Sequence, residues 1–305
     1  MFSTSPYTGT ASTRASHASV MYNNVMYVIG GDSSGTFLSD VKMFNIATTT
    51  WTTITTGGTA FTGRYGHTAT LYNDGIYVIG GRTSTSTVNE VWLFTISTSA
   101  WTTITTNGDT FPGRYFHTAT LYNDAIYVIA GGHQSTYQKD DVYKYTIATS
   151  TWSFVPCSGT FAKVEAPTAT LYNDEIYVIG GNRLGGGSYN LVWKFTIATS
   201  TWTTITTTGT FNGRYYHTAT LYNNVIYVIG GRNGGGITYN DISMFDISRS
   251  TWTNILYTGS FTYREYHSAL YYDNNIYIHG GYFGTANFYF SDIAIVSNLQ
   301  TAGIL

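Results

Sequence analysis

The sequence is poor in cysteine, proline and charge. Its 305 residues include one cysteine and four prolines, and only 10% of them are charged. Because Cys157 stands alone, neither an intramolecular disulfide nor a zinc site built from cysteines can form. The formal net charge is -2 and no basic run occurs, which argues against nucleic acid as a partner.

Long apolar runs are missing as well. No stretch reaches the roughly 18 apolar residues of a membrane helix, so no membrane insertion is expected. The N-terminus has neither a basic start nor an apolar stretch and lacks the features of a signal peptide. Two locations stay open: the cytoplasm if Met1 is the true start, or a domain of a surface or exported protein otherwise.

What the sequence does contain is one motif in six copies. The clearest copy is GRYYHTATLYNNVIYVIGG, from Gly213 to Gly231. The copies begin fifty residues apart, at Arg14, Arg64, Arg114, Val164, Arg214 and Arg264. An unbroken repeat of this period predicts a single repeat domain over residues 1–305.

Each repeat contains four strand-like runs. In the second repeat they are HTATLY (67–72), IYVIGG (76–81), VWLFTI (91–96) and WTTIT (101–105). The Asn-Asp or Asn-Asn pair between the first two runs suits a tight hairpin. Since none of the runs has a helical period, the sequence predicts an all-β fold with four short antiparallel strands per repeat.

Paired glycines and a later tryptophan recur in the repeats. The pairs are Gly30-Gly31, Gly80-Gly81, Gly131-Gly132, Gly180-Gly181, Gly230-Gly231 and Gly280-Gly281, and the tryptophans are Trp51, Trp101, Trp152, Trp202 and Trp252. With its period of fifty residues, this pattern resembles the kelch-repeat family. The resemblance implies a six-bladed β-propeller of four-stranded antiparallel blades. The expected blades are 14–57, 64–108, 114–159, 164–209, 214–259, and 264–296 completed by 2–9.

The sixth repeat lacks a tryptophan-led fourth strand, and the N-terminus can supply it. Phe2 lies twelve residues before Arg14, as Trp252 lies twelve residues before Arg264. Residues 2–7 are therefore expected to form the outer strand of the last blade. This pairing would close the ring and remove a free sheet edge.

Alternating strand direction sorts the connections onto two faces. The turns between strands 1 and 2 and between strands 3 and 4 share one face, here the turn face, and are nearly identical between copies. The loops between strands 2 and 3 share the other face, here the loop face, with the crossings between blades. These loops hold most of the variation, in segments 32–39, 82–89, 133–140, 182–189, 232–240 and 282–291. Diversified loops predict that function lies on the loop face.

The variable loops supply the candidate ligand-binding residues. These are Arg82, His133, Arg183, Tyr189, Arg232, Tyr239 and Tyr282. Aromatic faces beside arginine and asparagine suit a peptide or a carbohydrate. The sector around Arg183 and Arg232 is favoured, because the fourth repeat has Val164 for arginine and Pro167 for histidine and is expected to leave a gap there.

The arginines that open the repeats have two interpretations. As a ring at the channel mouth they could hold an anion. However, an acid precedes the third strand in the same repeats, and Val164 coincides with Asn190 where an acid would stand. A structural ion pair within each blade is therefore favoured, in a set formed by Arg14, Asp40, Arg64, Glu90, Arg114, Asp141, Arg214, Asp241, Arg264 and Asp292. The histidines three residues after each arginine are expected to be structural too.

The resemblance to kelch propellers implies a binding module more often than an enzyme. We therefore expect a monomer without cofactor or metal that recognises a protein or glycan through the loop face. The alternative is a sugar-active enzyme, similar to a sialic-acid mutarotase, at an arginine-rich channel mouth. A broad aromatic face would favour the binder. A deep axial pocket with an unpaired arginine and a carboxylate of raised pKa would favour the enzyme.

Overall fold

A computed structural model describes residues 2–4, 6–134, 137–255, 261–297 and 299 of the chain. It confirms an all-β propeller of six blades, each built on four main antiparallel strands. The innermost strands of neighbouring blades lie side by side around the central axis. Within the described residues, no helix is long and apolar enough to cross a membrane.

The main strands follow one another from the axis outward in each blade. They are Ala18–Tyr22, Val25–Ile29, Val41–Asn45 and Thr50–Thr53 in blade 1; Thr68–Tyr72, Gly75–Ile79, Val91–Thr95 and Ala100–Ile104 in blade 2; Thr118–Tyr122, Ala125–Ile129, Val142–Thr146 and Thr151–Phe154 in blade 3; Thr168–Tyr172, Glu175–Ile179, Val192–Thr196 and Thr201–Ile205 in blade 4; Thr218–Tyr222, Val225–Ile229, Ile242–Asp246 and Thr251–Asn254 in blade 5; and Ser268–Tyr272, Asn275–His279, Ile293–Val296 and Phe2–Thr4 in blade 6.

Shorter elements decorate the blades. Four loop-face hairpins pair Asp32–Ser33 with Thr36–Phe37, Gly132–His133 with Tyr137–Gln138, Asn182–Arg183 with Gly187–Ser188, and Tyr282–Phe283 with Phe288–Tyr289. Gly57–Gly58, Asn107–Gly108 and Ser158–Gly159 pair in parallel with the outer strand of the following blade. Two 3-10 turns span Ile147–Thr149 and Gly284–Ala286.

The core lies between the blades. In one cluster Ile179 and Val192 of blade 4 pack against Ile226, Val228 and Phe245 of blade 5. The second strand of each blade is buried on both faces because a neighbouring blade covers each side, so it has a continuous apolar run rather than an alternating one. Each blade therefore depends on its two neighbours in the ring to cover its apolar faces.

The N-terminal strand closes the ring as the sequence predicts. Phe2–Thr4 pairs with Ile293–Val296, with Phe2 opposite Val296 and Thr4 opposite Ala294. Phe2 stacks on Phe261 at 4.6 Å between ring centroids, just as Trp252 stacks on Phe211 at 4.0 Å in the preceding blade. Phe2 thus occupies the tryptophan position of the sixth blade.

The backbone conformation explains why glycine recurs at the pair. In blade 3 the corresponding two positions lie one residue earlier than the sequence pattern predicts. Gly81 has φ +98, and a Cβ there would lie 2.9 Å from the Cβ of His67. In blade 3 this position belongs to Gly131, and Ala130 takes the left-handed conformation of the first glycine with φ 61. The pairing of Gly131 with Gly132 in the sequence is therefore a misalignment, and Gly132 belongs to the loop that follows.

Candidate functional site

The arginine that opens five of the repeats is buried inside its own blade. Each side chain is at most 1% exposed and pairs with the acid before the third strand. The N–O distances are 2.9 Å for Arg14–Asp40, 2.7 Å for Arg64–Glu90, 2.6 Å for Arg114–Asp141, 2.5 Å for Arg214–Asp241 and 2.8 Å for Arg264–Asp292. Each guanidinium also donates to a backbone carbonyl at the first position of the glycine pair, which is occupied by Ala130 in blade 3. The arginines therefore brace the blades.

Blade 4 replaces this charged joint by an apolar one. Val164 is completely buried, in a cluster with Phe161, Tyr189 and Trp193, whereas Asn190 is exposed. The loops of blades 4 and 5 contact each other, since the backbone N–H of Gly234 donates to Ser188 Oγ at 3.4 Å. Apolar side chains therefore fill the position of the missing arginine.

The histidines of the motif join neighbouring blades. In four of them Nε2 lies within hydrogen-bond distance of a hydroxyl of the preceding blade: His17–Ser268 at 2.9 Å, His117–Thr68 at 3.1 Å, His217–Thr168 at 3.0 Å and His267–Thr218 at 2.9 Å. Burial lowers the pKa of all of them, to about 3 for His67 and His267. No group of three or more potential metal ligands occurs in the described part of the chain.

A cavity of about 440 Å³ opens at the loop-face end of the axis, and we call it the mouth cavity. Its described lining contains the carboxylates of Asp32 and Glu165 but no arginine, lysine or histidine. Six tyrosines contribute to the wall: Tyr65, Tyr115, Tyr216, Tyr266, Tyr282 and Tyr289. Contrary to the expectation of an arginine-rich mouth, the walls are aromatic and acidic.

Aromatic rings form the floor of the mouth cavity. Tyr216 and Tyr266 stack at 3.8 Å between centroids, and Phe116 lies 4.9 Å from Tyr216. All three have a left-handed backbone, with φ between 51 and 58, which turns their side chains toward the axis. They also line a second cavity of about 130 Å³ further along the axis. The rings therefore separate the two cavities.

The rim of the mouth comes from two positions of the repeat. One is the residue after the arginine position, and the other is the residue after the glycine pair. Within each blade the two form an antiparallel bridge: Ala15–Asp32, Tyr65–Arg82, Tyr115–Gly132, Glu165–Asn182, Tyr215–Arg232 and Glu265–Tyr282. Twelve backbone positions are thus fixed around the axis while their side chains differ from blade to blade.

Two carboxylates of the rim have strongly raised pKa values. Burial raises the pKa of Glu165 to about 7. Burial also raises the pKa of Glu265 to about 7, even though Arg232 of the preceding blade forms an ion pair with it at 3.4 Å. Arg82 instead lies close to the hydroxyls of Tyr65 and Tyr115, where its charge acts on their pKa values in the direction opposite to burial. The two arginines of the rim are therefore both engaged by side chains of the protein.

The structure disperses the residues predicted to bind a ligand. Tyr282 lines the mouth cavity, and Arg82 and Arg232 belong to its rim. Arg183 is exposed, with its guanidinium 6.0 Å from the ring centroid of Tyr189.

The other two have different surroundings. Tyr239 packs under the guanidinium of Arg214 at 4.1 Å, which gives it a structural contact. His133 lies half-buried in the blade 3 hairpin.

Exposed apolar side chains collect on the loop face of blades 4 to 6. Leu184 is 64% exposed, Ile237 60%, Phe288 55% and Tyr263 45%. We call these four residues the apolar arc. The remaining large apolar side chain that is exposed in the described part of the chain, Phe154, belongs to the outer strand of blade 3.

The turn face carries contacts between blades. Tyr72 donates to Asp124 of the next blade at 2.7 Å, and Tyr122 donates to Asp174 at 2.9 Å. Tyr272 donates to Asn24 across the closure of the ring. These repeated contacts explain physically why the turns are alike in the copies.

Sequence reasoning missed most of the mouth. Tyr65, Tyr115, Tyr216, Tyr266 and Glu265 were not singled out, because they lie inside the copied motif rather than in the variable loops. One signal was available. The residue after the arginine position is Ala, Tyr, Tyr, Glu, Tyr and Glu in the six copies, whereas the run TATLY a few residues further on is identical in four of them.

Comparisons with known proteins agree with this architecture. A family model described as the KLHDC2/KLHL20/DRC7 Kelch-repeats domain matches residues 2–181 and 166–302. No curated protein matches the chain. A solved structure titled "Structure of YjhT" is similar with a TM-score of 0.77, covering 95% of this chain and 96% of that chain at 15% sequence identity. At this identity the similarity concerns the fold alone.

Proposed function

This chain belongs to the Kelch-repeat family, and we propose that it binds a protein partner through the loop face of blades 4 to 6. The propeller is a general protein-interaction fold. The observation that carries the proposal is the apolar arc, formed by Leu184, Ile237, Tyr263 and Phe288. All four side chains come from loops on the same face of neighbouring blades, and exposed apolar side chains on one face are a feature of interaction surfaces.

The surroundings of the arc suit a protein ligand. Tyr263 stacks on Phe283 at 5.8 Å, and Phe288 packs against Phe290 at 5.0 Å, so that part of the arc rests on other rings. Arg183 lies beside Leu184 and offers hydrogen-bond donors at its edge. Apolar anchors with a polar edge are the usual anatomy of a protein interface.

An enzyme that acts on a sugar acid has less support. The raised pKa of Glu165 would suit a general acid or base near neutral pH. However, the carboxylates of Asp32 and Glu165 face the mouth cavity, and no arginine among its described lining residues is available for an acidic substrate. Like charges in one cavity oppose binding of an anion. We therefore favour the binding module.

The test uses peptide ligands selected on the wild-type protein by display from a random library. Their affinity is then measured for the double variant Leu184→Asp/Ile237→Asp. Since apolar anchors at an interface contribute strongly, we expect at least about a tenfold weaker affinity. The melting temperature should stay unchanged, because both side chains are exposed.

The matched control is Thr98→Asp/Thr199→Asp, which adds the same charge at exposed positions of the turn face. This control should keep full affinity. Selected peptides that lose affinity for the control but not for the arc variant would refute the proposal. Arg232 is a poorer target, because its removal would leave Glu265 buried without its partner.

A further inference from the structure

Two carboxylates line the mouth cavity, and neither forms an ion pair among the described residues, although Arg82 and Arg232 lie on the rim. Asp32 is satisfied by the protein, since it accepts hydrogen bonds from the Tyr289 hydroxyl at 2.8 Å and the Gly35 backbone N–H at 2.9 Å. Glu165 differs. Its carboxylate has no hydrogen bond or ion pair among the described residues, and no cation close enough to offset the effect of burial on its pKa.

A comparison around the rim explains why Glu165 has no partner. The residue after the arginine position meets the loop of the preceding blade, where Arg232 reaches Glu265 and Arg82 reaches Tyr115. For Glu165 the corresponding residue of the preceding blade is Gly132. A Cβ on Gly132 would lie only 3.0 Å from the Glu165 carboxyl carbon. Blade 3, which precedes Glu165, therefore has no side chain at this position that could pair with the carboxylate.

The aromatic walls favour the same kind of ligand. Tyr115 and Tyr216 interact electrostatically with Glu165, and the stacked Tyr216 and Tyr266 form the floor. Aromatic faces attract ammonium and guanidinium groups and also accept the apolar groups attached to them. The carboxylate favours a positively charged ligand, and the aromatic rings favour a ligand whose charged group carries apolar carbon atoms.

We propose that the mouth cavity binds an organic cation, an alkylated or primary ammonium group on a short carbon chain, with Glu165 as its counter-ion and the tyrosine rings as its walls. The volume of about 440 Å³ suits a small amine or one basic side chain. This site goes beyond the proposed function, because it can be filled without any protein partner.

The test measures binding of two cations and their neutral isosteres by isothermal titration calorimetry. Choline is compared with 3,3-dimethylbutan-1-ol, and Nα-acetyl-lysine amide with Nα-acetyl-norleucine amide. We expect at least one cation to bind about tenfold or more tightly than its isostere. A preference for choline assigns the site to a small alkylated ammonium compound, and a preference for the lysine amide assigns it to a basic side chain of a partner.

Two variants remove the counter-ion in different ways. Glu165→Gln keeps the shape of the site and should abolish the preference for the cation. Gly132→Arg places a guanidinium beside Glu165, as Arg232 stands beside Glu265, and should block the site from within. The backbone of Gly132 is not left-handed, and the Glu165 carboxyl group, which would lie 3.0 Å from the new Cβ, has to move slightly to make room for the arginine.

Glu175→Gln is the matched control. It removes one carboxylate from the same blade, where Glu175 pairs with Lys194 at 2.7 Å and contributes nothing to the mouth. This variant should bind like the wild type. The proposal is overturned if neither cation binds better than its isostere, or if Glu165→Gln and Gly132→Arg both keep the preference while folded. These cation measurements do not involve the peptides that test the apolar arc. A negative result in one experiment therefore leaves the other proposal standing.

Discussion

Blades 4 and 5 share one architecture but differ at the four positions that open the repeat. Blade 5 has Arg214, Tyr215, Tyr216 and His217, whereas blade 4 has Val164, Glu165, Ala166 and Pro167. Both blades have the same four strands in the same register. The fold therefore tolerates either a charged or an apolar joint, and the choice decides what the protein presents at the mouth.

The two joints are stabilised by different forces. In blade 5 the guanidinium of Arg214 is buried between the carboxylate of Asp241, the carbonyl of Gly230 and the ring of Tyr239. In blade 4 Val164 packs among apolar side chains and leaves no charge to compensate. Replacing a buried ion pair by apolar groups of similar volume is often nearly neutral, whereas removing one member is costly.

The largest expected effect comes from converting the joint of blade 5 toward that of blade 4. Arg214→Val leaves the Asp241 carboxylate and the Gly230 carbonyl without their donor and should lower the free energy of unfolding by about 3 to 5 kcal/mol. Adding Asp241→Asn removes the stranded charge and should restore at least about 1 kcal/mol. Chemical denaturation of both variants measures the difference.

An exposed arginine provides the control for this cycle. Arg249 is on the turn face and forms a surface ion pair with Asp246 at 3.1 Å. Arg249→Ala should cost less than about 1 kcal/mol, as surface pairs do. If the double variant of blade 5 were less stable than Arg214→Val alone, the equivalence of the two joints would be wrong.

The sequence predicts the fold well because the repeat multiplies each weak local signal. The strands of the second repeat lie within two residues of their predicted ends, and the N-terminal strand pairs where the register of Phe2 places it. The mouth is harder to predict, since it depends on contacts between different blades. Glu165 is informative only beside Gly132, and the repeat pattern in the sequence places Gly132 in the glycine pair instead.

A second difference between the blades concerns protons. His217 is buried, and burial together with the nearby Arg214 lowers its pKa well below the usual value. In the unfolded chain His217 is protonated below about pH 6.5, whereas in the folded chain it stays neutral. The free energy of unfolding therefore falls as pH drops below about 6.5. Five more buried histidines act in the same direction: His17, His67, His117, His267 and His279.

His217→Gln tests this effect, because glutamine can still bond Thr168 but does not titrate. Between pH 8 and pH 5 the variant should lose about 2 kcal/mol less stability than the wild type, or about 1.4 kcal/mol per pH unit below 6.5. Denaturation curves at several pH values measure the loss, and the values at pH 8 correct for any change in packing. Parallel curves for the two proteins would contradict a neutral buried histidine.

The smallest effect is expected at Glu165, where Tyr215 stands in blade 5. Burial raises the pKa of Glu165 to about 7 in the folded chain, while the unfolded value is about 4.5. As pH rises from about 4.5 to 7, the unfolded chain releases its proton first, so this carboxylate lowers stability increasingly and then by a constant amount. Glu165→Gln should therefore stabilise the protein by about 1 kcal/mol at pH 8, since the open mouth reduces the cost of the charge, and by almost nothing at pH 4. Denaturation at the two pH values measures this gain. If the variant were less stable at pH 8, the Glu165 carboxylate would stabilise the fold. If the variant gained stability and lost cation binding, the carboxylate would contribute to ligand binding while it destabilises blade 4.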